Sequence, residues 1–178
     1  MNLNYKLFLK INANVGHNRW LDAFGRAGAE LVILGMGGWY MAISLILNFG
    51  NKFAMYLPIL TLLVCVGVGL VISNVVGFFV QEVRPRLRFP EIKILFHPLS
   101  SWKSFPSDHA FAAFLIFFLA LVFNFPTVWG LLPLAIWVCW ARIYAGVHFP
   151  LDVVGGIILA AIVSIGGYFV LHFTYLLV

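Results

Sequence analysis

The apolar run FAMYLPILTLLVCVGVGLVISNVVGFFV occupies residues 53–80 and contains no Asp, Glu, Lys or Arg. A helix needs about 20 apolar residues to cross the hydrocarbon core of a bilayer, so this run is long enough to span a membrane with room for tilt. Strand-like alternation is absent from the run, and backbone that faces lipid must satisfy its own hydrogen bonds. The run is therefore predicted to be a transmembrane helix.

The composition of the whole chain agrees with this prediction. Of its 178 residues, 63% are hydrophobic and 10% are charged, against about 25% charged residues in soluble domains. Six charged residues lie in residues 1–30 and eight in residues 81–108, so most of the net charge of +5 is concentrated in two segments. This pattern excludes a water-soluble enzyme, a disordered tail and a free nucleic-acid binder. It favours contact with the bilayer and with anionic headgroups or an anionic substrate.

Uncharged runs separate the polar segments and predict the architecture. Residues 1–178 are expected to form one all-α integral membrane domain, a bundle of five transmembrane helices with six as the alternative. Residues 1–30 are expected to contain a helix that lies in the membrane interface, because apolar side chains from Leu3 to Ile11 recur at helical spacing. The third span is short unless its helix opens near Pro106. The predicted spans are residues 31–49, 53–80, 110–125, 127–144 and 151–178.

Three polar clusters stand at the ends of these spans. With five spans, all three clusters lie on the same face of the membrane as the N-terminal segment. Polar groups near membrane depth are costly and usually functional, so clusters that separate helices deliver to one face predict one site. The clusters are QEVRPRLR at residues 81–88, FPSDHA at residues 105–110 and ARIYAGVHFPLD at residues 141–152.

The residue types in these clusters suit a site that binds an anionic substrate and attacks it with a nucleophile. Arginine side chains match phosphate oxygens bidentately, and Ser107 stands at the start of a helix whose backbone N–H groups receive anions. Two histidines can divide the roles of nucleophile and proton donor. Asp152 follows His148 by four residues, a spacing at which a carboxylate can fix the imidazole tautomer and stabilise its cation. The constellation predicts phosphoryl transfer through a covalent phosphohistidine.

The clusters also resemble a known family. They match, in order and in separation, the three motifs of the type 2 phosphatidic acid phosphatase superfamily, over residues 77–156. The chain looks most like its bacterial undecaprenyl-diphosphate phosphatases of the bacitracin-resistance type. The matching residues are Arg84-Pro85, then Pro106-Ser107-x-His109, then Arg142-x5-His148-x3-Asp152.

The resemblance implies a role for each matching residue. His148 is expected to be the nucleophile, Asp152 its orienting carboxylate and His109 the acid that protonates the leaving group. The implied reaction is hydrolysis of undecaprenyl diphosphate to the monophosphate, in recycling of the cell-wall lipid carrier, with no metal or other cofactor. The residues expected to hold the substrate phosphate are Arg84, Arg142 and Ser107, with Asp108 and Arg86 as further candidates.

The chain departs from the family pattern in all three motifs, and in the third Ala141 replaces the serine that usually precedes the arginine. The first motif begins with a lysine seven residues before its arginine, and that position is Gly77 here. Arg86 and Arg88 are the candidates to replace this cation, although Arg86, Arg88, Lys93 and Lys103 are otherwise expected in a solvated loop that faces lipid headgroups. Asp108 replaces a glycine of the second motif. Its negative charge disfavours phosphate unless the side chain points away or pairs with an arginine.

The residue types leave other functions open. His109, His148, Asp108 and Asp152 have the chemistry of zinc ligands, although arginines nearby would repel a cation. A lipid or anion transporter is a non-enzymatic alternative, although almost no charge lies at mid-membrane to line a path. Among enzymes, the alternatives are a phosphatidylglycerophosphate or phosphatidic acid phosphatase and a lipid A phosphatase.

Orientation is the point on which two arguments conflict. The excess of Lys and Arg places the site on the cytoplasmic face, whereas the family resemblance implies the extracytoplasmic face of the inner or plasma membrane. We expect the extracytoplasmic face, because Arg84 and Arg142 serve the substrate and should be removed from the count.

Overall fold

The computed structural model describes residues 2–97 and 102–176, with side chains as far as Phe169. All regular structure in these ranges is helical, so the prediction of an all-α fold is confirmed. The elements are α1 (Leu3–Asn12), α2 (Arg19–Glu30), α3 (Val32–Leu47), α4 (Lys52–Val80), α5 (Pro85–Arg88), α6 (Asp108–Val122), a 3-10 turn (Val128–Gly130), α7 (Leu131–Tyr144) and α8 (Pro150–Leu176).

Each predicted span coincides with one helix, but the helices differ in length. Within the described residues, α4 and α8 are long and apolar enough to cross a membrane. Helices α2 and α3 meet at an angle of 46° and together make a third candidate span. Helices α6 and α7 have 15 and 14 residues, about 20–23 Å of helix, which is shorter than a bilayer core. The count of five transmembrane helices therefore stays a prediction.

The outer surface of the bundle is apolar. Large hydrophobic side chains are exposed along α3 and α4, and along α8 as far as Phe169. Soluble proteins rarely expose contiguous apolar patches larger than a few hundred Å². This surface is that of a multi-pass membrane protein. Examples from the outer face are Leu34, Leu63, Val71, Phe78, Ile158 and Ile162.

Helix α6 is the central element of the bundle, and most of its side chains are buried. Ser107 caps its N-terminus, and the Ser107 side chain accepts a hydrogen bond from the Ala110 N–H. The helix thus begins at Asp108, two residues after Pro106, and has 15 residues. Glycines bring the neighbouring helices close: a Cβ on Gly156 of α8 would lie 2.5 Å from the carbonyl oxygen of Ser107.

The N-terminal segment supports the loop between α7 and α8. The predicted helix near the N-terminus is present as α1, and its Phe8 is fully buried with its ring 5.1 Å from that of Phe149. Asn12, at the end of α1, donates a hydrogen bond to the carbonyl oxygen of Tyr144 at 3.0 Å. Gly146, with a φ of 78°, lets the loop turn sharply, and a Cβ there would lie 2.7 Å from the Lys93 carbonyl. The loop that follows α7 is therefore held from outside by α1.

Candidate active site

The structure brings the three polar clusters together at one end of the bundle. The Arg84 side chain, just after α4, donates a hydrogen bond through Nη1 to the Val147 carbonyl at 3.1 Å. The Ser107 N–H, just before α6, donates to the Asp152 carbonyl at 2.9 Å. The first and second clusters are thus each tied to the third by a hydrogen bond to its backbone.

His148 lies in the loop between α7 and α8 and is 3% exposed. Its Nδ1 is 2.9 Å from the carbonyl oxygen of Ser104, which can only accept a hydrogen bond. Nδ1 therefore carries the proton, and Nε2 keeps a free lone pair. Burial lowers the pKa of His148 to about 4; Asp152 opposes this shift, and Arg142 and Arg84 reinforce it. The imidazole is neutral at pH 7, which is the form required of a nucleophile.

Asp152 is in the first turn of α8 and is almost completely buried. Its Oδ2 accepts hydrogen bonds from the Ser104 hydroxyl at 2.5 Å and from the Phe149 N–H at 2.8 Å. The same oxygen is 3.6 Å from Nδ1 of His148. Asp152 thus lies where it can stabilise an imidazolium, and the shorter contact to Nδ1 comes from Ser104.

Ser104 is a site residue that sequence reasoning missed. Its backbone carbonyl accepts from His148, and its hydroxyl donates to Asp152, so one residue holds both members of the pair. Its own N–H donates to the Glu82 carbonyl at 2.9 Å, which ties it to the first cluster. The available signal was its place three residues before Ser107, next to the matched motif.

Arg84 and Arg142 are both buried in the site. Arg142 donates through Nη1 to the Ala29 carbonyl at 3.1 Å, at the end of α2. The buried Nε of each of these arginines has no hydrogen-bond partner among the described residues. A buried guanidinium N–H without an acceptor is costly, so an anionic oxygen is its natural partner. Phosphate binding by these two arginines stays a prediction, and their buried Nε–H groups are available for it.

His109 and Ser107 stand at the N-terminus of α6. Ser107 is buried, whereas His109 is half-buried in the first turn of the helix. The electrostatic interactions of His109 are with Arg142, His148, Asp108 and Arg84, which places it among the groups of the site. The roles of His109 as acid and of Ser107 as phosphate ligand stay predictions.

Asp108 pairs with a cation other than the one expected. Its Oδ1 is 2.8 Å from Nζ of Lys103 and accepts a hydrogen bond from the Ser73 hydroxyl at 2.5 Å. Lys103 also donates to Ser73 of α4 and is 4% exposed. The expectation that Lys103 belongs to a solvated loop is therefore wrong, because its ammonium is buried against a carboxylate and a hydroxyl.

The two remaining arginines of the first cluster differ. Nη1 of Arg86 is 3.2 Å from Nδ1 of His97, and its buried Nε has no partner among the described residues. Arg88 is exposed, with its guanidinium 3.7 Å from Glu82 and 4.9 Å from the ring centre of Tyr5. Arg86 thus stays a candidate phosphate ligand, whereas Arg88 contacts Glu82 and the Tyr5 ring of α1.

The zinc-site alternative lacks a set of ligands here. Across residues 2–97 and 102–169, no three His, Cys, Asp or Glu side chains come together in a way that could hold a metal ion. Asp108 is bound to Lys103, and Asp152 accepts from Ser104 and Phe149. The donors around both carboxylates are those of an ion pair and a hydrogen-bond network.

Comparison with known proteins relates the chain to phosphatases. It is 30% identical over 166 residues to the undecaprenyl-diphosphatase BcrC of Bacillus subtilis (strain 168), an alignment that covers 91% of this chain and 81% of that protein. It is 29% identical to the putative undecaprenyl-diphosphatase YbjG of Escherichia coli (strain K12), with 88% of this chain and 77% of that protein covered.

Two solved structures share the fold. A crystal structure of Aquifex aeolicus LpxE matches with a TM-score of 0.70 and 27% identity, covering 94% of this chain and 95% of that one. A transmembrane PAP2 type phosphatidylglycerolphosphate phosphatase from Bacillus subtilis matches in fold alone, with a TM-score of 0.57, 22% identity and 92% of both chains covered. The family model of the PAP2 superfamily matches residues 58–175, which include all three polar clusters. This chain therefore belongs to the PAP2 superfamily.

Proposed function

We propose that this protein is a metal-independent membrane phosphatase that removes the terminal phosphate from a polyprenyl diphosphate, with undecaprenyl diphosphate as its substrate. The observation that carries the proposal is the buried imidazole of His148: its Nδ1 proton is donated to the Ser104 carbonyl, and no residue that the structure describes hydrogen-bonds Nε2. The buried Nε–H groups of Arg84 and Arg142 have no acceptor in the part of the chain that the structure describes, so they can donate to phosphate oxygens in the same site. Membership of the PAP2 superfamily and similarity to proteins named undecaprenyl-diphosphatase support a lipid phosphate hydrolase.

The reaction takes place in two steps. Nε2 of His148 attacks the terminal phosphorus, and the bond from phosphorus to the bridging oxygen breaks as His109 donates a proton to that oxygen. The polyprenyl monophosphate leaves, and His148 carries the phosphoryl group. Water then attacks the phosphohistidine and gives its proton to His109, which releases inorganic phosphate. Arg84 and Arg142 stabilise the charge on the transferred oxygens in both steps, a task for which other phosphatases use a metal ion.

The architecture suits a lipid substrate. The site is at one end of a bundle whose outer surface is apolar, so a headgroup can reach the arginines while its chain stays in the bilayer. We place the site on the extracytoplasmic face of the inner or plasma membrane, where a carrier lipid diphosphate released by cell-wall assembly would be hydrolysed. The second candidate is a lipid monoester phosphatase, and it uses the same residues.

Phosphate release from purified protein in detergent tests the proposal. The panel contains undecaprenyl diphosphate, phosphatidylglycerophosphate, phosphatidic acid and lipid A, each with and without excess EDTA. We expect the highest kcat/KM on the diphosphate and no effect of EDTA. Release from no member of the panel would refute the function. Loss of activity in EDTA, restored by zinc or magnesium, would refute the phosphohistidine mechanism, and preference for a monoester would favour the second candidate.

A further inference from the structure

Lys103 is the one buried lysine among the described residues, and no role is assigned to it above. Its Nζ lies 2.8 Å from Oδ1 of Asp108 and donates to the hydroxyl of Ser73 on α4. The Lys103 side chain is 5% exposed, whereas that of Asp108 is 40% exposed. Removing an ammonium group from water destabilises the fold. An ion pair with one half-exposed carboxylate offsets only part of this desolvation cost. A buried cation of this kind indicates a function.

The path of the Lys103 side chain depends on Gly77. A Cβ on Gly77 would lie 2.6 Å from Cδ of Lys103 and 3.1 Å from the carbonyl oxygen of Phe105. Helix α4 thus offers a bare backbone at the place where the methylene groups of Lys103 cross it. Gly77 is also the position at which the related motif has a lysine. The chain therefore brings an ammonium group to this side of α4 from the loop that precedes α6.

Lys103 is joined to the active site through both of its neighbours in the network. The next residue, Ser104, contacts His148 and Asp152. The charge of Asp108 acts on Arg84 and Arg142, so this carboxylate lies within electrostatic range of the phosphate-binding arginines. An unneutralised carboxylate there would repel the phosphate that these arginines bind.

We propose that Lys103 is a phosphate-positioning residue: its ammonium group, which the α5–α6 loop brings to the Gly77 side of α4, neutralises Asp108 next to the phosphate-binding arginines. The proposal rests on the proposed function of the same site. With Lys103 present, the Lys103–Asp108 pair is neutral and the two arginines keep their net attraction for an anionic headgroup. Without it, Asp108 opposes them.

The test is a set of variants assayed for KM and kcat on undecaprenyl diphosphate and for inhibition by vanadate. Lys103→Met is expected to lower kcat/KM about ten- to a hundredfold, mainly through a higher KM, and to weaken vanadate inhibition by a similar factor. Lys103→Arg keeps the charge and should recover part of the loss. The double variant Lys103→Met/Asp108→Asn should bind better than Lys103→Met alone, because the opposing carboxylate is then neutral. Lys10→Met, which removes an exposed lysine of α1, is the matched control.

Several outcomes would overturn the inference. One is a folded Lys103→Met with the wild-type KM, and another is a double variant whose KM is no better than that of the single variant. If Lys103→Met does not fold, Gly77→Ala is the second test. Its methyl group would displace the Lys103 side chain and should raise KM. An unchanged KM would refute the role of Lys103. Failure of the wild-type protein to hydrolyse any lipid phosphate would refute the proposed function instead.

Discussion

Nδ1 of His148 lies 2.9 Å from the backbone carbonyl of Ser104, while the Ser104 hydroxyl lies 2.5 Å from Oδ2 of Asp152. One residue thus fixes the tautomer of the imidazole through its main chain and holds the carboxylate through its side chain. The backbone contact cannot be removed by substitution, but the hydroxyl contact can. The two functions of Ser104 are therefore separable by experiment.

Ser104→Ala should lower kcat with little change in KM. The substitution leaves the carbonyl that orients His148 but removes a hydrogen bond to the buried Asp152 carboxylate, a loss of about ten- to a hundredfold when a charged group is involved. Steady-state kinetics on undecaprenyl diphosphate measure the effect. Ser164→Ala, on α8, removes a buried hydroxyl that donates to the Ala161 carbonyl and should keep the wild-type kcat. Equal losses in the two variants would show a general effect on packing.

The two histidines should respond differently to substitution. His148→Ala removes the nucleophile, so neither turnover nor a phosphoenzyme is expected on any substrate. His109→Ala removes a general acid, which typically supplies about 10²–10⁴-fold, and should keep measurable activity on a diphosphate or an activated aryl phosphate. Rapid acid quenching should trap phosphohistidine in His109→Ala. A phosphoenzyme in His148→Ala, with His109→Ala inactive on every substrate, would reverse the assignment.

The pH profile should show no loss of the nucleophile in the mildly acidic range. Because burial lowers the pKa of His148 to about 4, its imidazole stays neutral in the free enzyme as pH falls from 7 to about 5. An imidazole with the ordinary pKa of about 6.5 would be only about 10% neutral at pH 5.5. We therefore expect kcat/KM, corrected for ionisation of the substrate, not to fall between pH 7 and 5.5, because the nucleophile stays neutral and the acid His109 is only more fully protonated at lower pH. An acid limb near pH 6.5 would contradict the burial of this residue.

Arg84→Lys and Arg142→Lys should each be poor substitutes. An ammonium group keeps the charge but lacks the planar fork that binds two phosphate oxygens, and each arginine also uses Nη1 to hold a backbone carbonyl. A loss of about ten- to a hundredfold in kcat/KM is expected for each variant. Arg19→Lys, on the exposed N-terminal end of α2, is the control and should have no effect. Wild-type kinetics in both site variants would argue against phosphate binding by these side chains.

Cysteine labelling tests the orientation of the site. Lys93 is exposed beside the active site, whereas Lys52 begins α4 at the opposite end of that helix. A membrane-impermeant thiol reagent applied to intact cells should label a Lys93→Cys protein and should label Lys52→Cys only after permeabilisation. Both native cysteines, Cys65 and Cys139, are buried and should react little. The reverse pattern would place the site in the cytoplasm.

The sequence alone determined the helices and the site motifs. Uncharged runs placed the spans at residues 53–80 and 151–178, and the helices are Lys52–Val80 and Pro150–Leu176. This agreement has a physical reason, because an apolar run in lipid must satisfy its backbone internally and has little alternative to a helix. The spacing of the motifs likewise placed the histidines and arginines at helix ends, which depends only on where the runs stop.

Only the tertiary structure decided where Lys103 and Ser104 lie. Their loop has no periodicity that predicts burial, and their partners are 30 residues away at Ser73 and 48 residues away at Asp152. Whether a loop lysine meets solvent or a carboxylate depends on the room that Gly77 leaves beside α4. Such a contact is made by the packing of helices distant in sequence, and no local pattern of residue types encodes it.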